Sequence, residues 1–348
     1  MIDSTRACVL HQAKDLRIET QPLGAPGPGE VLVRIGAGGI CGSDLHYYLD
    51  GGFGAIRVRE PMILGHEVAG TVEALGASVS GLAIGAVVAL NPSHPCGMCE
   101  YCRAGVAQHC LDMRFWGSAM RMPHVQGGFR DRIVVGAKQC VPVSAQTSLG
   151  EAAMSEPLAV CLHAVRQAGA VKGKRVLVTG CGPIGALVVL AARDAGAAEI
   201  IVTDVVDPPL EFARRIGADR AVNVARDRDA LAGEAKDKGR IDVAFECSGN
   251  PRALAQAIEL TKPQGVIVQV GIGGTIEVPL NVLTAKELNL RGTFRFHEEF
   301  AQAAEAISTR RIDVRPLITA TRPLDLAVEA FELAADKSRS MKVQLAFA

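Results

Sequence analysis

Arg175-Val176-Leu177-Val178-Thr179-Gly180-Cys181-Gly182-Pro183-Ile184-Gly185 is the stretch that sets the architecture of this chain. Its first five residues are short, apolar and rich in valine, and a glycine bounds them, which reads as a buried strand. Gly180, Gly182 and Gly185 then make a G-x-G-x-x-G turn, and Pro183 and Ile184 open a helix-like run to Ala195. In isolation that glycine pattern says little. Between a strand and a helix it marks the turn where backbone N–H groups meet a pyrophosphate at a helix N-terminus. Asp204 ends the next strand-like run, 19 residues after Gly185. A carboxylate there accepts hydrogen bonds from both ribose hydroxyls and repels a 2′-phosphate. Val205-Val206-Asp207-Pro208-Pro209 contains no arginine to offset it, so NAD is expected over NADP.

Working outward, strand-like runs at Arg175 to Thr179, Glu199 to Asp204, Ile241 to Glu246, Gly265 to Val270 and Leu288 to Thr293 alternate with helix-like ones. The helical segments include Ile184 to Ala195 and Arg252 to Thr261. Such alternation predicts a parallel sheet with helices on both faces. Residues 1 to about 150 have another texture: turn residues separate strand-like runs at Val31 to Ile35, Glu67 to Glu73 and Ala86 to Leu90. The expected fold class is α/β. A doubly wound nucleotide-binding domain over 154–295 is inserted between 1–153 and 296–348 of a β-rich catalytic domain.

Composition narrows the function. At 348 residues the chain is long enough for two domains. Lys+Arg and Asp+Glu are both 37, so the formal charge is zero. With no charged tail, nucleic acid and anionic membrane are not expected partners. Met1-Ile2-Asp3-Ser4-Thr5-Arg6 lacks the apolar core of a secretion signal, and apolar runs such as Ala186 to Leu190 are too short to span a bilayer. A cytoplasmic protein is expected, and its ten cysteines are therefore read as reduced.

Four of those cysteines, Cys96, Cys99, Cys102 and Cys110, stand in a C-x2-C-x2-C-x7-C run. Thiolates at such gaps converge tetrahedrally on one zinc, a closed site whose role is structural. A zinc module that presents a nucleic-acid surface would need flanking basic and stacking residues, and the flanks lack them. A second constellation spans Gly39-Ile40-Cys41-Gly42-Ser43-Asp44-Leu45-His46 and Gly65-His66-Glu67. Its thiolate, imidazole and carboxylate suit a zinc with an open fourth position, which is the catalytic kind. Ser43 and His46 stand close enough in sequence to handle a proton. Cys8, Cys140, Cys161, Cys181 and Cys247 read as packing residues.

These motifs together resemble the zinc-containing medium-chain alcohol dehydrogenases, in the sorbitol dehydrogenase-like branch, along nearly the whole chain. Further segments that carry the resemblance are Tyr47-Tyr48, Asn91 to Gly97, Asp112 to Phe115, Gly117 to Met120, Pro123 to Val125, Glu156 to Val160 and Gly292 to Phe296. It implies a GroES-like catalytic domain and a Rossmann domain, two zinc ions per subunit and NAD. It also implies a catalytic zinc held by Cys41, His66 and one carboxylate, either Glu67 or Glu156, which the sequence leaves open. Ser43 would accept the substrate proton and His46 would pass it to solvent through the cofactor ribose. Ser248, Val270, Gly271, Thr293 and Arg295 would join the glycine turn around the cofactor.

Substrate is the broadest of these expectations. Through the resemblance carried by the 112–125 stretch, a sugar acid is implied, whose carboxylate calls for a cation at the pocket edge. Arg114, Arg121, His124 and Arg295 are the candidates, Arg114 foremost, and Tyr47 and Phe115 are candidate pocket walls. A neutral polyol is the alternative substrate, and a zinc-stabilised binding protein without turnover is a third reading. The resemblance further implies a homo-oligomer, dimer or tetramer, with Ile267 to Val278 supplying the sheet edge.

Overall fold

The computed structural model describes residues 4–227 and 229–347. The chain divides into two compact units. One contains Met1–Glu156, Phe300–Asp336 and Lys342–Ala348; the other contains Pro157–Glu299 and Lys337–Met341.

The first unit is built on a seven-stranded sheet ordered Cys140–Pro142, Val87–Leu90, Glu67–Leu75, Glu30–Gly39, Lys342–Ala346 and Ile318–Pro323. Arg132–Gly136 pairs with the early part of Glu30–Gly39. The pairing of Ile318–Pro323 with Lys342–Ala346 is parallel and the others are antiparallel. Along the central strand Val31, Val33 and Ile35 are fully buried while their neighbours are half-buried. That period of two belongs to a strand with one core face. Phe129 and Phe331 meet edge to face in the same core, their ring centroids 6.4 Å apart.

The far end of that central strand carries the detail that matters for chemistry. Register sets Gly39 opposite Glu67 on one side and Gln344 on the other. A Cβ at Gly39 would run into the Glu67 carboxylate. The missing side chain is therefore what lets a buried carboxylate lie across the strand.

The second unit holds a six-stranded sheet ordered Arg220–Asn223, Glu199–Asp204, Arg175–Thr179, Ile241–Glu246, Thr261–Gln269 and Asn289–Gly292. Every pairing in it is parallel. Val176, Leu177 and Val178 are all fully buried, as a strand covered on both faces requires. Helices Pro183–Asp194, Asp207–Arg215 and Pro251–Leu260 connect these strands. The winding reverses between Arg175–Thr179 and Ile241–Glu246, and such a switch point opens a crevice at the carboxyl ends of the strands.

Two expectations need adjustment. The strand expected from Gly265 begins at Thr261, which pairs with Ile241 across a bulge. That strand is also hydrogen-bonded on both sides, so Ile267 lies inside the sheet and not at its edge. The edges are Arg220–Asn223 and, on the side of Ile267, Asn289–Gly292, which is exposed at all four residues. Among the described residues no helix is long and apolar enough to cross a membrane.

Glycine geometry supplies the first test. Gly39→Val should destabilise the chain by about 1–3 kcal/mol through overpacking. Gly182→Ala should leave the thermal midpoint unchanged, because nothing lies within 4 Å of a Cβ built there. Thermal unfolding of both variants checks the contrast.

Candidate active site

Cys41 is the N-cap of helix Gly42–Asp50, and Asp44 is the third residue of that helix. The Asp44 carboxylate accepts a hydrogen bond from Cys41 N at 3.0 Å and another from Gly65 N at 3.2 Å. Its Oδ1 also lies 3.8 Å from His66 Nδ1, a ring nitrogen with no hydrogen-bond partner of its own. One fully buried carboxylate thus ties the thiol segment to the imidazole segment. Sequence reading gave Asp44 no role, although an acid three residues after a helix cap is a recognisable signal.

The ligand atoms of Cys41, His66 and Glu67 lie within 4.8 Å of one another. Glu156, in the first turn of helix Ser155–Ala168, is buried and feels the charges of His66, Glu67, Cys41 and Lys342. Lys342 was not anticipated at all. Its buried Nζ donates to the two Glu67 oxygens at 2.8 and 2.7 Å and to Ile40 O at 3.1 Å.

Without a cation the acids of this nest are driven towards their protonated forms. Burial, with Glu67 adding to it, pushes the Cys41 thiol up to about 12. Burial likewise pushes the Glu156 carboxyl up to about 8. Burial works to lower the Lys342 ammonium, but Glu67, Cys41 and Glu156 reverse that and hold it above its ordinary value. When ionised, Cys41, Glu67 and Glu156 bring three negative charges and Lys342 one positive. Asp44 adds a further buried carboxylate, so the ionised nest calls for more positive charge than Lys342 supplies, and sulfur, nitrogen and oxygen donors together suit zinc. The residues fit the ion.

Ser43 stands near enough to the Cys41 thiol to favour its ionised form, and His46 extends into solvent with Nδ1 3.5 Å from Asp50. Cys41, not Ser43, caps this helix. Phe115 is buried with its ring 5.5 Å from that of His66, so it walls the metal position. Tyr47 is buried against Phe53, and its hydroxyl accepts from Ala119 N at 3.2 Å, which makes it a packing residue that fixes the 119 loop.

Of the candidate cations, Arg121 is committed to Met113 O, Leu111 O and Asp112. Buried His124 uses both ring nitrogens, Nδ1 with Arg121 O at 2.7 Å and Nε2 accepting from Arg59 N at 2.9 Å. Neither is available to a substrate carboxylate. Arg114 is exposed and forms no ion pair among the described residues. Arg295 lies over the Phe294 ring at 4.9 Å.

The four clustered thiols form a second nest, their sulfurs also within 4.8 Å of one another. Backbone N–H groups of Cys96 and Asp112 donate to Cys110 Sγ at 3.2 and 3.3 Å. Backbone donors from Leu111 and Cys102 bring the Cys99 thiol down to about 6, while burial drives Cys102 up to about 12. Donors aimed at sulfur favour thiolates, which is the form that holds zinc.

In the second unit Gly180 has φ +83°, and a Cβ there would strike Ser248. Gly182 caps the helix that Pro183 and Ile184 begin, and at Gly185 a Cβ would meet Gly180 O. Asp204 Oδ2 accepts from Cys181 N at 2.7 Å, and Oδ1 accepts from Val205 N and Val206 N at 2.7 and 3.2 Å. Glu246, unnoticed in the sequence, is the hub of this end of the sheet. Its fully buried carboxylate accepts from Ser248 N and Oγ, Gly249 N, Thr179 Oγ1 and Gln269 Nε2. Its carbonyl accepts from Val270 N and Gly271 N. The open face of Gly182 and the buried, unpartnered Thr293 Oγ1 fit a dinucleotide that supplies the missing neighbours.

Comparison with known proteins agrees with this geometry. Residues 27–145 match the alcohol dehydrogenase GroES-like domain and 183–309 the zinc-binding dehydrogenase family. The chain is 44% identical over 344 residues to L-idonate 5-dehydrogenase (NAD(P)(+)) of Escherichia coli K12, with 99% of each chain covered. A solved structure of the E. coli L-idonate 5-dehydrogenase superposes with a TM-score of 0.95, covering 99% of this chain and 98% of that one. Sorbitol dehydrogenase of Bacillus subtilis is 36% identical over 98% of this chain and 96% of its own.

The two thiol sites make different demands. Cys41→Ser and Cys102→Ser should each lower bound zinc from two ions per chain to one, read by elemental analysis. Only Cys102→Ser should lower the thermal midpoint, because a structural ion contributes folding free energy. Equal melting of the two variants would reverse that assignment. A pH effect follows from Glu156. Its carboxyl titrates higher folded than unfolded, so in zinc-stripped protein its contribution to stability is complete below about 4.5 and is lost as pH rises through about 8. Glu156→Gln should flatten that part of a pH series of unfolding midpoints.

Proposed function

The chain belongs to the zinc-binding, GroES-like alcohol dehydrogenase family, and on that premise we propose that it oxidises a secondary alcohol of a sugar acid with NAD. L-idonate, converted reversibly to 5-keto-D-gluconate, is the substrate this reading favours. The observation that carries the chemistry is the cluster of Cys41, His66 and Glu67 ligand atoms, with buried Glu156 and Lys342 beside it, a donor set that suits a divalent ion. Similarity over nearly the full length to an L-idonate enzyme supports the choice of substrate.

Zinc, when bound, supplies a Lewis acid that lowers the pKa of a substrate hydroxyl, and NAD accepts the hydride. Everything else falls to side chains. Cys41 and His66 would hold the ion, and Asp44 ties the Cys41 segment to the segment before His66. Either Glu67 or Glu156 would supply the one carboxylate ligand, and Lys342, which donates to both Glu67 oxygens, sets the orientation of that carboxylate. Ser43, beside the thiol, takes the hydroxyl proton, and the exposed His46 ring delivers it to solvent. Phe115 keeps water from one side of the reacting carbon. Arg114 reads the substrate carboxylate; it is the exposed guanidinium next to Phe115 that structural bonds have not claimed.

On the cofactor side, the turn at Gly180 to Gly185 receives the pyrophosphate at a helix N-terminus. Asp204 takes the adenosine ribose, and Ser248, Val270, Gly271, Thr293 and Arg295 line the remainder. A homo-oligomer, dimer or tetramer, would form through the exposed edge at Asn289–Gly292.

A neutral polyol is the second reading, favoured by the sorbitol dehydrogenase relative. NADH formation by the zinc-loaded protein on L-idonate, D-gluconate, sorbitol and xylitol separates the two. L-idonate should be turned over at least roughly tenfold faster than sorbitol, and Arg114→Ala should remove most of that difference, as loss of a charge-assisted contact does. Faster turnover of sorbitol or xylitol would replace the sugar-acid assignment with a polyol one.

A further inference from the structure

We propose that Arg226 is the receptor for a 2′-phosphate on the adenosine ribose and that Asp207 holds it in reserve, so that this pair sets the discrimination between NAD and NADP. The inference rests on the reading of the Gly180 to Gly185 turn as a dinucleotide site.

Asp204 marks the ribose end of that site. The next strand, Arg220–Asn223, runs parallel to it with Asn223 directly opposite Asp204. Val224 N donates to Asp204 O, so the turn after Asn223 rises beside the ribose carboxylate. Asn223 shapes this turn: its Oδ1 accepts from Ala225 N and Arg226 N at 3.1 and 3.3 Å, and its Nδ2 donates to Asp207 Oδ1 at 3.1 Å. Arg226 Nη1 donates to the other Asp207 oxygen at 2.9 Å. The fold has therefore brought a guanidinium to the acid that stands three residues past Asp204. The run from Val205 to Pro209 contains no arginine, and the cation arrives from the neighbouring strand.

Three features make this more than a surface staple. Arg226 is 71% and Asp207 47% exposed, so the pair is weak and open to exchange. Its one hydrogen bond leaves guanidinium donors for a phosphate, an acceptor with higher charge and the geometry for bidentate contact. Asp204 repels an incoming phosphate less than a free carboxylate would, because three backbone N–H groups already donate to it. Between Asp204 and Asp207 lie only Val205 and Val206, both exposed and uncharged.

The two members of the pair then act in opposite directions. Arg226→Ala removes the phosphate ligand, whereas Asp207→Asn releases it and removes a repelling charge. Calorimetric titration of the full zinc-loaded chain with NAD, NADP, 5′-AMP and 2′,5′-ADP reads both effects. Arg226→Ala should weaken NADP and 2′,5′-ADP roughly tenfold and leave NAD and 5′-AMP within about twofold. Asp207→Asn should tighten NADP several-fold. An unmoved NADP-to-NAD ratio in Arg226→Ala, or a shift in the same direction for both variants, would overturn the assignment while the dinucleotide site stands. Failure of wild-type protein to bind either NAD or NADP would overturn the site and this assignment with it.

Discussion

The contact between Lys342 and Glu67 is the constraint on which the catalytic unit depends. Both groups are almost wholly removed from water, and ion pairs in such places repay their desolvation only when geometry is good and other charges are satisfied. Here the ammonium meets two carboxylate oxygens and one carbonyl, and it has the Cys41 thiol and Glu156 for neighbours. Each of those would be costly alone. Gly39 makes the arrangement sterically possible, since any side chain there would occupy the Glu67 carboxylate. The central strand, the last strand and the metal nest are thus one construction.

Buried carboxylates play a second part in the molecule, as fasteners. Asp44 joins a helix start to the segment before His66, and Glu246 joins three strand ends around the topological switch point. Both work by gathering backbone and side-chain donors, without a cationic partner in hydrogen-bond contact. Such acceptors fix loops more tightly than apolar packing, because leaving any of those donors unpaired carries its full desolvation cost. Placing them next to the metal ligands and at the glycine turn holds the chemistry on rigid elements.

The local parts of this account were legible in the sequence. Flanking turn residues marked the strand at Val31 to Ile35, strand–helix alternation marked the parallel sheet, and the cysteine run marked its own cluster. What escaped notice depends on separation along the chain. Lys342 stands 275 residues from Glu67, and no local pattern ties a lysine in a C-terminal strand to a metal nest. Arg226 follows a short strand whose partner is set by sheet order, which motifs do not encode. Asp44 and Glu246 were nearer to reading: the first sits at a capping-box position, and the second precedes a Ser248-Gly249 turn that needs an acceptor. Arg121 and His124 show the opposite failure. Their residue types suited a carboxylate, but the loop they stabilise had already taken their hydrogen-bonding groups.

Substrate choice is separable from all of this. The metal nest activates any hydroxyl that reaches it, since ligand charge and geometry say nothing about the rest of the substrate. Specificity must come from groups at the pocket edge, where a site built to bond a carboxylate rejects a neutral analogue by leaving its cation unpaired. Arg114, the group proposed for that role, is placed in a particular way. It pairs through its backbone with His94 in a two-stranded ribbon, and the next residue, Phe115, stands against His66. A guanidinium carried on the same short strand as the pocket wall moves with it. On the proposed reading, one short element would both shield the reacting carbon and set its distance to a carboxylate, which a polyol does not have.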